Sequence, residues 1–175
     1  MDELELTKIV ESLVKIKTME QRGALTRTCT DVTLDMAKEL IREVEQRAAQ
    51  MGVKAVIAVA NRGANPVAVH CMDDSYIASF DVAMQKAYTC AALKMPTTDL
   101  KRLCQPGGAL YGIQHTNQGR IVIFGGGIPI LTESGECIGG LGVSGGSEEQ
   151  DTALAEFART VVQDILTSSK NYHNV

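Results

Sequence analysis

The chain has 175 residues, and its 17 Lys plus Arg against 21 Asp plus Glu give a formal charge of −4. Apolar types make up 45% of the sequence and charged types 22%, which is enough apolar material for the core of one ordinary domain and too little charge for a disordered chain. The negative charge and the lack of any run of Lys and Arg argue against nucleic-acid and anionic-membrane partners, because both need concentrated positive charge. The absence of Trp also argues against a surface on which single-stranded nucleic acid could stack.

Residues 1–31 are predicted to form a leader ahead of a domain that covers residues 32–175. Apolar residues recur at helical spacing within residues 3–17, which predicts an amphipathic helix, and a polar linker follows it. The apolar stripe of this helix can dock within its own oligomer or on a different protein. The pattern resembles the amino-terminal helices that load enzymes into bacterial microcompartments, so a microcompartment shell is a candidate partner.

The cysteines and the amino terminus indicate the compartment. The five cysteines are odd in number, widely spaced and without a C-x-x-C pair, which favours reduced, buried thiols over a disulfide framework. Acidic residues near the start argue against a secretory signal peptide, and no apolar run reaches the roughly 18 residues of a membrane span. We therefore expect a cytoplasmic protein, with a microcompartment interior as the alternative location.

Helices and strands alternate along the domain. Four helices are predicted from apolar spacing, caps and breakers: 33–51, 76–93, 97–103 and 147–166. Five strands are predicted from short apolar runs between turn residues: 53–60, 67–72, 120–124, 128–132 and 136–144. Short connections between successive strands indicate antiparallel pairing. The order predicts an α+β fold with a five-stranded antiparallel sheet and helices packed mainly on one face.

Glycine is concentrated late in the chain, where 13 of the 16 glycines lie between Gly107 and Gly146. Two interpretations stay open: turns with close helix-on-sheet packing, or a cleft rimmed by exposed backbone amides. Residues 140–145 match G-x-G-x-x-G, but no second parallel strand follows, and the next helix begins with acidic residues that would repel a pyrophosphate. A dinucleotide site is therefore not predicted.

Three side chains within the domain could contact a ligand. His70 is either a structural histidine on a strand or a metal ligand, and His115 could lie over the glycine-rich segment. Lys86 has no acid three or four residues away on its helix, so its ammonium either reaches water or points at an anion from a ligand or the sheet rim. No paired carboxylates, Ser-His-Asp order or metal-ligand spacing is present, so no catalytic residue is predicted.

Five sequence blocks resemble the GlcG/HbpS-like family of heme-binding and related proteins: 71–73, 81–88, 105–112, 124–129 and 142–151. The resemblance implies a profilin-like fold, homo-oligomers such as a tetramer or octamer, and links to glycolate, propanediol and glycerol catabolism. Members encoded beside diol or glycerol dehydratases are similar, as is the carboxyl-terminal domain of the corrinoid adenosyltransferase of propanediol use, which binds heme. Heme or a corrinoid is the implied cofactor.

The glycine clusters predict a cleft that binds a small ligand, and the resemblance implies that the protein is a homo-oligomer and that the ligand is heme, a corrinoid or a small metabolite. The predicted ligand contacts are Met72, Asp73, Lys86, Gly107, Gly108, Tyr111, His115, Arg120, Gly125, Gly126, Gly127, Pro129, Ser144 and Gly146, with His115 or His70 as the heme ligand. A non-catalytic accessory protein of a microcompartment or dehydratase complex, tethered through residues 3–17, is the alternative. An enzyme that uses His115 is the least favoured class.

Overall fold

The computed structural model describes residues 30–171, and side chains as far as residue 167. Nearly all of these residues belong to one compact unit, Cys29–Leu166. The predicted leader helix at 3–17, the linker up to residue 29 and His173 lie outside the described residues. Within the described part of the chain, no helix is both long enough and apolar enough to cross a membrane.

The described chain contains four α-helices and four β-strands. In chain order these are α1 (Leu34–Gln50), β1 (Val56–Asn61), β2 (Pro66–Cys71), α2 (Ser79–Leu93), α3 (Thr97–Leu103), β3 (Gly127–Leu131), β4 (Cys137–Ser144) and α4 (Glu148–Asn171). Two short 3-10 turns, Ile113–His115 and Asn117–Gly119, lie in the loop between α3 and β3.

Two of the predicted helix caps are confirmed. The hydroxyl of Thr33 accepts a hydrogen bond of 3.2 Å from the Met36 amide at the start of α1. Ser147 and Gln150 form a capping box before α4: the Gln150 amide donates to the Ser147 hydroxyl, and the Ser147 amide donates to the Gln150 side chain. Local polar chemistry therefore fixes where these helices begin.

All four strands form one antiparallel sheet in the order β2-β1-β4-β3. The prediction of a fifth strand at 120–124 is wrong. Ile121 and Val122 are buried as that prediction requires, but the Val122 amide donates to the Thr89 hydroxyl on α2, and Ile121 belongs to a small core with Leu100 and Cys104. The apolar run thus packs against helices, and pairing with β4 begins only when Gly126 accepts from the Val143 amide.

Helices cover both faces of the sheet, so the prediction that they pack mainly on one face is also wrong. Alternate residues of β1 and β4, including Ile57 and Leu141, share the main core with α1 and α4. The opposite face of β1 presents Ala58 and Ala60 to Ala83 on α2. The continuous apolar run of β1 is explained by this arrangement, because a strand covered on both sides has no polar face.

The cysteines of the described chain are free thiols, three of them buried: Cys71, Cys90, Cys104 and Cys137. Burial raises the pKa of the Cys90 thiol to about 12, so this group stays protonated and unreactive at neutral pH. The prediction of reduced cysteines fits these four.

Candidate functional site

A buried ion pair joins three elements at one end of the sheet. Lys86 on α2 is fully buried, and its Nζ donates to the Val143 carbonyl on β4 at 2.7 Å and to Asp151 Oδ2 on α4 at 2.9 Å. The other carboxylate oxygen of Asp151 accepts from the Gly146 amide at 2.9 Å. Burial lowers the pKa of Lys86, and the neighbouring Asp151 opposes that shift.

The anion that Lys86 requires therefore comes from α4. The sequence analysis considered only acids on the same helix and missed Asp151, 65 residues further along the chain. The signal was present in the sequence, since a lysine at an apolar helix position needs a buried acid, and Asp151 lies at helical spacing from the apolar positions of α4. Because its charge is already paired and its side chain is inaccessible, Lys86 is not available to a ligand.

The glycine loop 125–127 is held by side chains from two helices. The Gly125 amide donates to Glu148 on α4, whose carboxylate also pairs with Lys101 on α3 at 2.6 Å. The Gly127 amide donates to the Thr97 hydroxyl at 3.0 Å. The Lys101 and Gly125 hydrogen bonds hold the pKa of Glu148 below its ordinary value.

The space beside most of these glycines is filled by the protein itself. A Cβ on Gly126 would lie 2.7 Å from the Lys86 ammonium, and one on Gly127 would lie 2.8 Å from Cys90 Sγ. On β4, a Cβ on Gly142 would lie 2.7 Å from the Ala87 amide nitrogen of α2. Close packing of helix on sheet, one of the two interpretations of the glycine clusters, therefore holds here.

Two of the remaining predicted contacts at this end of the sheet, Ser144 and Pro129, are enclosed as well. Ser144 is buried and donates to the Ser79 hydroxyl at 3.1 Å, while Gly146 packs against Gln150. Pro129 is buried in β3. The expectation of an open glycine rim is thus corrected at Gly125, Gly126, Gly127, Pro129 and Ser144, which are buried beneath the helices, whereas Gly146 is exposed.

The open part of the predicted site is the loop between α3 and β3, residues 104–120. Tyr111 is 66% exposed, and His115 and Arg120 are exposed. A Cβ at Gly107 would meet no atom within 4 Å, whereas Gly108 packs on the backbone of Leu103 and Gln105. The structure brings the aromatic, imidazole and guanidinium groups of this loop to the surface on consecutive tight turns.

Arg120 closes one side of a cleft between α2 and the β1–β2 hairpin. Its guanidinium lies 3.7 Å above the ring of Tyr88 on α2, and the Tyr88 hydroxyl accepts from the Asn117 side chain at 3.0 Å. The cleft has a volume of about 100 Å³, with Ala58 and Ala60 of β1 among its lining residues and Met84 of α2 on its wall. Sequence reasoning missed it because alanines, not glycines, provide the space.

Three predicted contacts lie in different surroundings, at the end of β2. His70 Nδ1 lies 3.0 Å from Glu45 Oε1 of α1, which fits the structural alternative for this histidine. The Met72 sulfur accepts from the Ala55 amide and packs on the main core, while Asp73 is exposed. None of the three lines the cleft. Among the described residues, no group of three His, Cys, Asp or Glu side chains could hold a metal ion.

Comparison with known proteins identifies the family to which this fold belongs. A family model described as "Haem degrading protein HbpS-like" matches residues 32–160. An uncharacterized 15.0 kDa protein from the dhaT-dhaS intergenic region of Citrobacter freundii is 45% identical over 73% of this chain and 89% of its own length. The corrinoid adenosyltransferase PduO of C. freundii is 40% identical over 69% of this chain, but the match spans only 36% of PduO.

Solved structures give the same result. The Klebsiella pneumoniae protein ORFY has a TM-score of 0.73 at 38% identity, covering 78% of this chain and 94% of its own. The PduOC structure, a heme complex, has a TM-score of 0.67 at 39% identity, covering 70% and 88%. HbpS shares the fold at a TM-score of 0.66 and 24% identity, covering 79% and 94%. The chain belongs to the HbpS-like family.

Proposed function

We propose that this protein binds heme on the open surface of the 104–120 loop, with His115 as the iron ligand. The observation that carries the proposal is the similarity to PduOC, which is 39% identical and was crystallised as a heme complex. The family description, a heme-degrading protein, supports the same ligand class. Heme degradation itself is not part of the proposal.

The size of the cleft indicates how heme would sit. Sites that enclose ligands of drug size are about 300–1,000 Å³, whereas the cleft beside Arg120 has about 100 Å³. A porphyrin would therefore lie against the surface and stay exposed on its outer face. A second copy of the chain could cover that face, which is consistent with the proposed homo-oligomer, whether tetramer or octamer.

The residues of the loop fit the needs of such a site. Heme binding needs an axial ligand, an apolar contact for the ring and a cation near the propionates. His115 provides an exposed imidazole, Tyr111 an exposed aromatic ring and Arg120 a guanidinium. His70 lies on β2 and does not line the cleft beside Arg120, so we assign the iron to His115.

Titration of the full chain with hemin tests this proposal. We expect a saturable Soret shift at micromolar protein, its loss in His115→Ala and its retention in His70→Ala, which removes the other histidine among the described residues. No saturable shift in the wild type would overturn heme binding. Equal shifts in wild type and His115→Ala would overturn the assignment of the iron ligand alone.

A corrinoid is the second candidate ligand, favoured by the 40% identity to the corrinoid adenosyltransferase. The match covers little of that enzyme, so its activity is not carried over. The same titration with aquocobalamin separates the two ligands, because axial coordination by imidazole would shift the visible bands of the corrinoid. Unchanged bands at saturating protein would remove this candidate.

We also propose, as an alternative role, that residues 3–17 tether the protein to a microcompartment shell or a dehydratase. The proposal is supported by the amphipathic pattern of that segment and by the similarity to PduO. Deleting residues 1–19 and following co-purification with shell and dehydratase subunits tests it. Partners that are retained without the segment would contradict it.

A further inference from the structure

The cleft beside Arg120 combines an apolar lining with one cation that lacks an acidic partner. Among residues 30–171, no carboxylate lies within ion-pair distance of Arg120. Its guanidinium is stacked 3.7 Å from the Tyr88 ring, and a stacked guanidinium keeps its N–H groups free to donate in its own plane. The site therefore offers a fixed donor for an anion.

The rest of the lining restricts what that anion can be. Ala58, Ala60 and Met84 present methyl groups and a thioether, and the other polar side chains that line the cleft are neutral: the amide of Gln85 and the phenol of Tyr88. One guanidinium can balance one negative charge, whereas a phosphate dianion would leave a second charge against an apolar lining. A monoanion with an apolar end fits this combination.

The volume of the cleft limits the length of the ligand. A dry cavity of about 150 Å³ accommodates benzene, and this cleft has about 100 Å³. We propose that the cleft binds a monocarboxylate of about two to four carbons, with the carboxylate on Arg120 and Gln85 and the alkyl group against Ala58 and Met84. The carboxylate is that of a free short-chain acid or the propionate of a bound tetrapyrrole. The proposal does not depend on heme binding.

NMR of the full chain labelled with ¹³C-methyl methionine tests the inference. Met84 lies on the cleft wall, and a Met84→Leu variant assigns its signal. With sodium propionate we expect a saturable shift of the Met84 methyl signal, and at least tenfold weaker binding of propionamide, which has the same size without the charge. Arg120→Gln should weaken propionate binding at least tenfold. Arg102→Gln, the matched control, removes an equal charge at a 79% exposed side chain and should leave binding unchanged.

The outcomes separate the two sources of the carboxylate. A propionate shift that Arg120→Gln abolishes identifies a free acid, and it would stand even if hemin produced no Soret shift. If only hemin perturbs the Met84 signal, and Arg120→Gln weakens hemin at least tenfold, the carboxylate belongs to the tetrapyrrole. No perturbation of Met84 by either compound, or equal binding by wild type and Arg120→Gln, would overturn the inference.

Discussion

The two glycine-rich regions of this domain have opposite roles. Around residues 125–127 and along β4, glycine allows a helix backbone and the Lys86–Asp151 pair to approach the sheet, and no space remains for a ligand. In the 104–120 loop, Gly107, Gly112 and Gly119 have open space beside them and positive φ values, so they shape turns that expose Tyr111, His115 and Arg120. Glycine density alone therefore does not locate a binding site.

The difference also predicts how the two regions respond to substitution. Changes in the closed region should alter the free energy of unfolding and leave little else to measure. Changes in the open loop should alter ligand binding at nearly constant stability. Each of the following experiments tests one side of this contrast.

Removing the buried cation should have the largest effect. Lys86→Met keeps much of the side-chain volume but leaves the Asp151 carboxylate without its partner in a buried position, which costs about 3–5 kcal/mol in comparable cases. Urea denaturation would measure the loss. The double variant Lys86→Met/Asp151→Leu should recover most of it, because neither charge is then buried alone. A loss below about 1 kcal/mol in the single variant would show that the pair behaves like an exposed salt bridge.

Adding a methyl group to the sheet at Gly142 should have the next largest effect. The new Cβ would meet the Ala83 carbonyl and lie 2.7 Å from the Ala87 nitrogen, so α2 must move away from β4. Overpacking of this kind costs about 1–3 kcal/mol, and because the new Cβ meets backbone atoms of α2 we expect Gly142→Ala to fall at the upper end of this range in thermal or chemical unfolding.

Gly107→Ala is the matched comparison for that substitution. Its Cβ meets open space, so only the left-handed backbone at φ 84° opposes it, at about 1–2 kcal/mol. Equal losses of unfolding free energy at the two positions would mean that α2 can move away from β4 at little cost, which would contradict the closed packing described for β4.

The sequence predicted the local features of the fold better than its layers. The caps at Thr33 and Ser147 and the β1–β2 hairpin depend on neighbouring residues, and each is present in the structure. The segment 120–124 was misread because burial against Leu100 and Cys104 produces the same apolar run as a strand does. Distribution of helices over two faces depends on contacts between distant residues, such as Ala58 with Ala83.

For the site, the sequence identified residue types but not their environments. Tyr111, His115 and Arg120 were named and lie on the open loop. Lys86 was singled out as a charge in need of an anion, yet only acids on its own helix were considered, and its partner lies 65 residues further along the chain on α4. The cleft was missed because its space depends on how far α2 stands from Ala58 and Ala60, which no single residue encodes.

The acid sensitivity of the closed region should depend in part on Glu148. Its pKa is lowered by Lys101 and the Gly125 amide, so the stabilisation is present above the ordinary value of 4.5 and is lost as the pH falls through the folded-state pKa. Melting temperatures of the wild type should therefore fall more steeply below pH 4.5 than those of Glu148→Gln. Asp73→Asn, at an exposed carboxyl after β2, is the control and should follow the wild type. Parallel curves for wild type and Glu148→Gln would mean that groups other than Glu148 cause the loss of stability at low pH.

The smallest effects on stability are expected in the open loop, and they sharpen the contrast most directly. His115 and Tyr111 are exposed, so His115→Ala and Tyr111→Ala should each change the free energy of unfolding by no more than about 0.5 kcal/mol. If hemin binding falls in the same variants while urea midpoints stay fixed, the loop acts through contact with the ligand. A loss of stability that matched the loss of binding would instead mean that these side chains stabilise the loop. Binding would then be lost because the loop is no longer folded, and not because a contact with the ligand is missing.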